Sequence, residues 1–231
     1  MNQSADILIA GAGPAGATAS LFLSGKKIPH FILDKSFFPR DKICGDAISG
    51  KASDVLYKLD TSIHKELEQA ADKFLPCNGI LFSAPNGKTL AVPFSNDLSK
   101  LKYPAGYVSK RFHFDDFLFR KIDRKYATVL EGAEIKSVAR NNGAVELGYF
   151  CEGKNEIISC KLLIAAEGDR SIAARSLGEY EKSLENYSAA VRGYYRNVKG
   201  MHAQNFIELH FLKEFFPVIS GFFLWPTEMP M

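Results

Sequence analysis

Three glycines and one aspartate carry the clearest chemistry in this chain: Gly11-x-Gly13-x-x-Gly16 and, 23 positions after the first glycine, Asp34. In a turn that leads from a strand into a helix, Gly11 would make the tight bend, Gly13 would let a pyrophosphate approach the backbone, and Gly16 would let the helix pack on the strand. Free N–H groups at the helix start would face the phosphates, and the Asp34 carboxylate would meet a ribose hydroxyl. Alone the motif is weak, because glycine-rich turns also serve as plain connections. Its context predicts a dinucleotide site: Asp6-Ile7-Leu8-Ile9-Ala10 reads as a strand, an alanine-rich segment with helical spacing follows the turn, and a second strand, Phe31-Ile32-Leu33, ends in Asp34.

Other chemistries find less support. The four cysteines, Cys44, Cys77, Cys151 and Cys160, form no C-x-x-C pair and the five histidines form no H-E-x-x-H, so no metal site is expected. Gly87-Lys88-Thr89 invites a phosphate-loop reading, but the glycine required five positions earlier is Phe82, and the triplet reads as a hairpin turn. His113 is read as a surface or partly buried ring without a ligand role. Across 231 residues, 29 Lys and Arg against 26 Asp and Glu give a net charge of +3, and the basic residues are dispersed, so no nucleic-acid partner is expected. No signal peptide is expected, and the uncharged C-terminal segment Phe215 to Thr227 is too short to span a bilayer. With its unpaired cysteines the sequence is expected in a reducing cytoplasm.

The elements that must position these residues follow from hydrophobic period. After Asp34 a polar stretch broken by Pro39 and Gly45 reads as an extended loop that opens a helix near Ser49 and runs through Val55, Leu56 and Leu59. A short helix is predicted from Ser62 to Ala71, then a hairpin of Gly79 to Ala84 and Lys88 to Val92 with Asn86-Gly87 at its tip. Gly106-Tyr107-Val108-Ser109 leads into a helix whose apolar face is Phe114, Phe117, Leu118 and Ile122. Strands are expected at Thr128 to Val138, Ala144 to Phe150 and Glu156 to Ala165, the last ending in Glu167-Gly168 and a helix at Ile172 to Leu177. Ala189 to Val198, Phe206 to Leu212 and Val218 to Trp225 read as further strands, whose aromatic stripe fits either a greasy pocket or the inner face of a sheet.

Taken together, Gly11-Ala12-Gly13-Pro14-Ala15-Gly16, Lys42-Ile43-Cys44-Gly45, Arg111-x-x-Phe114-Asp115-x-x-Leu118 and Ala166-Glu167-Gly168-Asp169-Arg170-Ser171 resemble FAD-dependent oxidoreductases of the geranylgeranyl reductase family, relatives of the para-hydroxybenzoate hydroxylase fold. The resemblance implies an α/β (α+β overall) chain: a Rossmann-like, NAD(P)-binding-like FAD domain with an inserted or appended antiparallel β-sheet substrate domain. It divides the chain into residues 1–74 and 104–180 for the FAD-binding domain, 75–103 for a hairpin insertion of the substrate domain, and 181–231 for further, incomplete substrate-domain strands. It also implies that Gly11, Gly13, Ala15 and Gly16 hold the FAD pyrophosphate, that Asp34 and Lys35 lie at the adenosine ribose, and that Arg111 and Glu167 contact the cofactor. Cys44 and Gly45 would lie beside the isoalloxazine ring, with Cys44 the candidate for catalysis; otherwise Cys44 is a small buried hydrophobe that packs the loop.

Two departures from the family pattern stand out. Glu167 replaces the usual aspartate, and the chain stops at Met231 where family members continue with a Gly-Asp segment that closes over FAD, so a truncated member is expected. Pro217 to Pro226 resembles only loosely the family's Pro-x-x-Tyr-x-Trp-x-Phe-Pro motif. The resemblance implies hydride transfer from flavin to a carbon–carbon double bond of a geranylgeranyl-type, lipid-like small molecule. Electrons would come from NAD(P)H or a ferredoxin-like protein, and peripheral membrane contact is among the partners implied. A flavin monooxygenase acting on an aromatic substrate and a truncated, non-catalytic fragment are the alternatives.

Overall fold

The computed structural model describes residues 3–178, 190–213 and 219–222. In chain order the elements are β1 (Gln3–Ala10), α1 (Pro14–Gly25), β2 (His30–Asp34), β3 (Ala47–Ile48), α2 (Gly50–Leu59), α3 (Ser62–Gln69), β4 (Leu75–Pro76), β5 (Gly79–Ser83), β6 (Thr89–Pro93), β7 (Tyr107–Val108), α4 (Arg111–Arg120), β8 (Ala127–Glu131), β9 (Glu134–Asn141), β10 (Ala144–Cys151), β11 (Lys154–Ala165), α5 (Ile172–Leu177), β12 (Phe206–Phe211) and β13 (Ile219–Phe222). They form two compact units, Met1–Lys42 with Arg111–Ala190, and Ile43–Lys110 with Val191–Met231. Among the described residues, no helix is long and apolar enough to cross a membrane.

The first unit is a six-stranded sheet in the order β8-β2-β1-β11-β10-β9. Its first four strands are parallel and the last two run antiparallel. Leu8, Ile9 and Ala10 of β1 have no exposure, as a strand covered on both faces requires. Successive side chains point to opposite faces. Leu8, Ala10 and Leu33 therefore join Leu147, Ile158 and Ala173 of α5 in one core, while Ile9 meets α1 at Gly16. The buried positions of α1 are small, Gly16, Ala17, Ser20 and Ser24, and the helix packs on α4. His30 fixes the start of β2: with Nδ1–H donating to the Ile28 carbonyl at 2.9 Å, Nε2 accepts from the Ser20 hydroxyl at 2.7 Å.

The single strand expected over Thr128 to Val138 is two. β8 pairs with β2 at one sheet edge and β9 with β10 at the other, and the chain turns between them at Gly132, whose φ is +69°. The alternating pattern continues across this break, so only the glycine marks it. The tight turns at Asn142-Gly143 and Glu152-Gly153 have positive φ at both residues, the geometry that joins antiparallel strands.

In the second unit the predicted hairpin forms as β5 and β6, and the sheet extends as β13-β12-β5-β6 with β12 parallel to β5. Ser49 caps α2 by accepting from the Ala52 N–H at 3.4 Å. The expected strand from Ala189 to Val198 does not form across its described part, 190–198; Arg192 and Tyr194 there reach Asp46 instead, and Val191 is fully exposed. Ala189 lies outside the described residues; of the strand expected at Val218 to Trp225, the described part forms as β13 (Ile219–Phe222), and residues 218 and 223–225 lie outside the described residues. Between α2 and β7 an aromatic cluster forms: His64 stacks on Tyr103 at 4.2 Å, Tyr57 lies 4.7 Å from Tyr103, and the His64 ring bonds the Ser53 carbonyl and the buried Tyr107 hydroxyl.

Two outcomes follow from these contacts. Leu147→Ala, at a fully buried position, should lower stability by about 2–5 kcal/mol in urea unfolding. The Tyr103 hydroxyl donates to Asp54 at 2.6 Å, and that bond raises its pKa from 10.0 to about 12. The contribution is whole below the unfolded tyrosine pKa and is lost as pH rises through the folded one. Tyrosinate absorbance during alkaline titration should show Tyr103 ionising late, together with the buried Tyr107 and Tyr149, and Asp54→Asn should return one of these late steps towards the ordinary range.

Candidate functional site

The C-terminal ends of β1, β2 and β11 converge on the glycine turn. The Gly11 N–H donates to the Leu33 carbonyl at 2.7 Å, and the Ala166 N–H donates to the Ala10 carbonyl at 2.7 Å. Gly11 has φ +94°, and a Cβ there would lie 2.5 Å from the Ala166 carbonyl oxygen. At Gly16 a Cβ would collide with the Gly11 carbonyl oxygen. Both positions therefore exclude any side chain. Gly13 is the N-cap of α1, Pro14 stands in its first turn, and no side chain caps the helix. Its N-terminal N–H groups thus face outward over a glycine floor, with Ala15 exposed beside them.

Asp34 reaches this turn from the end of β2. One carboxylate oxygen accepts from the Ala12 N–H at 2.8 Å and the other from the Ser36 N–H at 2.9 Å. A carboxylate has about four acceptor sites, so both oxygens keep capacity for a further hydroxyl. Lys35 is exposed next to it.

Arg111 is held by Asp115 one helical turn later in α4. Its Nε donates to Oδ1 at 2.6 Å and its Nη2 to Oδ2 at 2.7 Å, a bidentate pair. Asp115 Oδ2 also accepts from Arg40 Nη1 at 2.6 Å, and the Asp115 side chain has no exposure. Arg40 is placed by the loop after β2: Phe38 stacks on Phe119 at 4.0 Å, the Phe38 N–H donates to Glu131 at 2.8 Å, and the Arg40 guanidinium lies 5.0 Å from the Phe38 ring centroid. Its Nη2 ends 3.3 Å from where a Cβ of Gly13 would stand. Lys42 Nζ similarly lies 2.8 Å from the position of a Cβ on Gly168.

Arg40 is absent from the residues singled out in the sequence, and Asp115 enters there only as a motif letter. The available signal was a carboxylate on the otherwise apolar face Phe114, Leu118 and Ile122, since a buried charge demands a partner.

Glu167 turns towards the protein. Its carboxylate accepts from the Ser171 hydroxyl at 2.7 Å, the Ile172 N–H at 3.1 Å and the Ala173 N–H at 3.2 Å, closing the start of α5. The first unit thus brings together Gly11, Gly13, Ala15, Gly16, Asp34 and Arg111, adds Arg40 and Asp115, and uses Glu167 to brace the loop after β11. Cys44 and Gly45 belong to the second unit, where both are exposed. The exposure of Cys44 overturns the reading of it as a buried packing residue.

The arrangement can take a dinucleotide. An open helix N-terminus on glycine and two guanidiniums offer hydrogen bonds and positive charge to a diphosphate, and Asp34 offers acceptors to a ribose.

A family described as FAD binding domain matches residues 4–208. A menaquinone reductase of Mycolicibacterium smegmatis is 30% identical over 205 residues, covering 84% of this chain and 45% of the relative. Digeranylgeranylglycerophospholipid reductase 1 of Methanothermobacter thermautotrophicus is 29% identical over 181 residues, covering 75% of this chain and 41% of the relative. The chain therefore spans under half the length of these relatives. In fold it is similar to the myxobacterial chondrochloren halogenase CndH, with a TM-score of 0.73 at 22% identity over 90% of this chain and 48% of that one.

Glu167→Ala removes the brace at α5 and should cost about 1 kcal/mol, the scale of a lost N-terminal cap, in urea unfolding of the cofactor-free chain.

Proposed function

Because this chain belongs to the FAD binding domain family, with FAD as its cofactor, we propose that it is the cofactor-binding part of a reductase acting on carbon–carbon double bonds of an isoprenoid lipid. The observation that carries this reading is that two relatives, one named menaquinone reductase and the other digeranylgeranylglycerophospholipid reductase 1, align with 84% and 75% of the chain. The Lys42-x-Cys44-Gly45 sequence supports it.

The first unit is assigned to FAD. Gly11, Gly13, Ala15 and Gly16 leave room for the diphosphate at the start of α1, Arg111 faces its charge, and Asp34 with Lys35 takes the adenosine ribose. Glu167 acts by bracing the loop after β11. The second unit is assigned to the lipid-like substrate, and Cys44 with Gly45 to the reaction itself. When bound and reduced by NAD(P)H or a ferredoxin-like donor, the flavin would supply hydride to one carbon of the double bond, and a pocket acid or solvent would supply the proton to the other.

The test begins with the visible spectrum of the purified chain after gel filtration with FAD. Flavin bands that co-elute with the protein are expected, and a colourless protein in excess FAD refutes the cofactor assignment. The loaded protein is then reduced without oxygen and given a geranylgeranyl lipid or menaquinone. A product heavier by two hydrogens, read by mass spectrometry, supports the reading, and Cys44→Ser should slow its formation while leaving FAD bound. Reoxidation by oxygen alone, with an oxygenated or halogenated aromatic product, overturns it.

A further inference from the structure

The Arg40–Asp115–Arg111 cluster has a feature that packing alone does not require. Arg40 lies against Gly13, the N-cap of α1. A helix N-terminus carries partial positive charge, so a guanidinium is repelled there. The Asp115 carboxylate, fully buried and 2.6 Å from Arg40 Nη1, holds it in place. The same carboxylate fixes Arg111 through two bonds, at 2.6 and 2.7 Å. One anion thus sets the direction of two cations that come from segments 71 positions apart (111 minus 40). Phe38, stacked on Phe119, limits the loop that carries Arg40.

We propose that Asp115 is a positioning residue for the cofactor. It pins Arg40 beside the start of α1 in the absence of ligand, so that a diphosphate meets helix N–H groups and a pre-oriented guanidinium together. An unfavourable juxtaposition of like charges becomes an attraction when the anion arrives, because both now face negative charge. The orienting work is done before binding, which is where preorganised sites gain affinity. The consequence is selectivity for a dinucleotide flavin over FMN, which has no diphosphate bridge. This inference rests on FAD as the cofactor.

The experiment measures FAD and FMN binding by flavin fluorescence, at low and high salt, for the full chain and for Arg40→Gln, Asp115→Asn and the double variant. Urea unfolding of each cofactor-free protein runs alongside. Arg40→Gln leaves the Asp115–Arg111 pair in place. It should weaken FAD binding by roughly ten- to a hundredfold, the range for a hydrogen bond to a charged group, and change FMN binding much less. The salt dependence of FAD binding should become shallower. In the Asp115→Asn background, Arg40→Gln should add little, because Arg40 has already lost its orientation.

Full additivity of the two substitutions overturns the positioning role, since Arg40 would then act without Asp115. Equal losses for FAD and FMN overturn the diphosphate assignment. Unchanged FAD affinity in Arg40→Gln overturns both, and that variant decides the matter even if Asp115→Asn fails to fold. If the unsubstituted chain binds no FAD, the cofactor reading itself has failed, which is a separate result.

Discussion

Everything at the site depends on how closely the ends of β1 and β11 approach each other. The backbone of Gly11 passes so near the Ala166 carbonyl that a methyl group would not fit, and α1 returns so tightly that Gly16 admits none either. Parallel pairing runs from Gln3 opposite Ile158 to Ala10 opposite Ala165, so both strands release their chains at the same level. One exit becomes the glycine turn and the other the loop closed by Glu167. The geometry follows from exclusion: with no side chain on the floor, the open end of α1 is bounded by backbone, by Asp34 and by the arginines. A single Cβ at Gly11 would also demand a left-handed backbone from an L-residue, so room and conformation fail together.

Charge is distributed around that floor in two ways. Asp34 and Glu167 are bound to backbone N–H groups, which fixes loops at the cost of some acceptor capacity. Asp115 is bound to guanidiniums, which fixes side chains. Burying an anion is costly without partners, and here two cations answer one carboxylate. The buried pair at Asp115 therefore serves orientation more than stability, consistent with its place between a helix face and the loop after β2.

The glycine turn was legible in the sequence because its determinants are local: a strand, three glycines at fixed spacing, and an acidic strand end. The helix starts near Ser49 and at Ile172 were legible for the same reason. Arg40 was not, because its partner is 75 positions away and no periodicity links a loop arginine to a helix carboxylate. The bonds of Glu167 were not legible either: it accepts from the N–H groups of Ile172 and Ala173 at the start of α5, five and six positions on. The break at Gly132 was hidden by alternation that continues into β9, and the apolar and aromatic residues after Ala190 imitate a strand although Tyr194, with the interspersed Arg192, is drawn to the buried carboxylate of Asp46. Long-range ionic partners, more than hydrophobic pattern, separate the expected structure from the observed one.

The boundaries between the units add a constraint on how such a chain can vary. The chain leaves the first unit between Lys42 and Ile43, inside the Lys-x-Cys-Gly sequence, and re-enters it between Lys110 and Arg111, at the first residue of α4. Arg111 is thus tied to the first unit by Asp115 and Lys42 Nζ lies over Gly168, while Cys44 and Lys110, one or two positions away, follow the second. Loops ordinarily tolerate insertions because little depends on their length. At the second crossing the length-sensitive residue is Arg111, which begins α4 and pairs with Asp115 one turn on, so the cluster requires the helical register from Arg111 onward and not a fixed length of the segment before it.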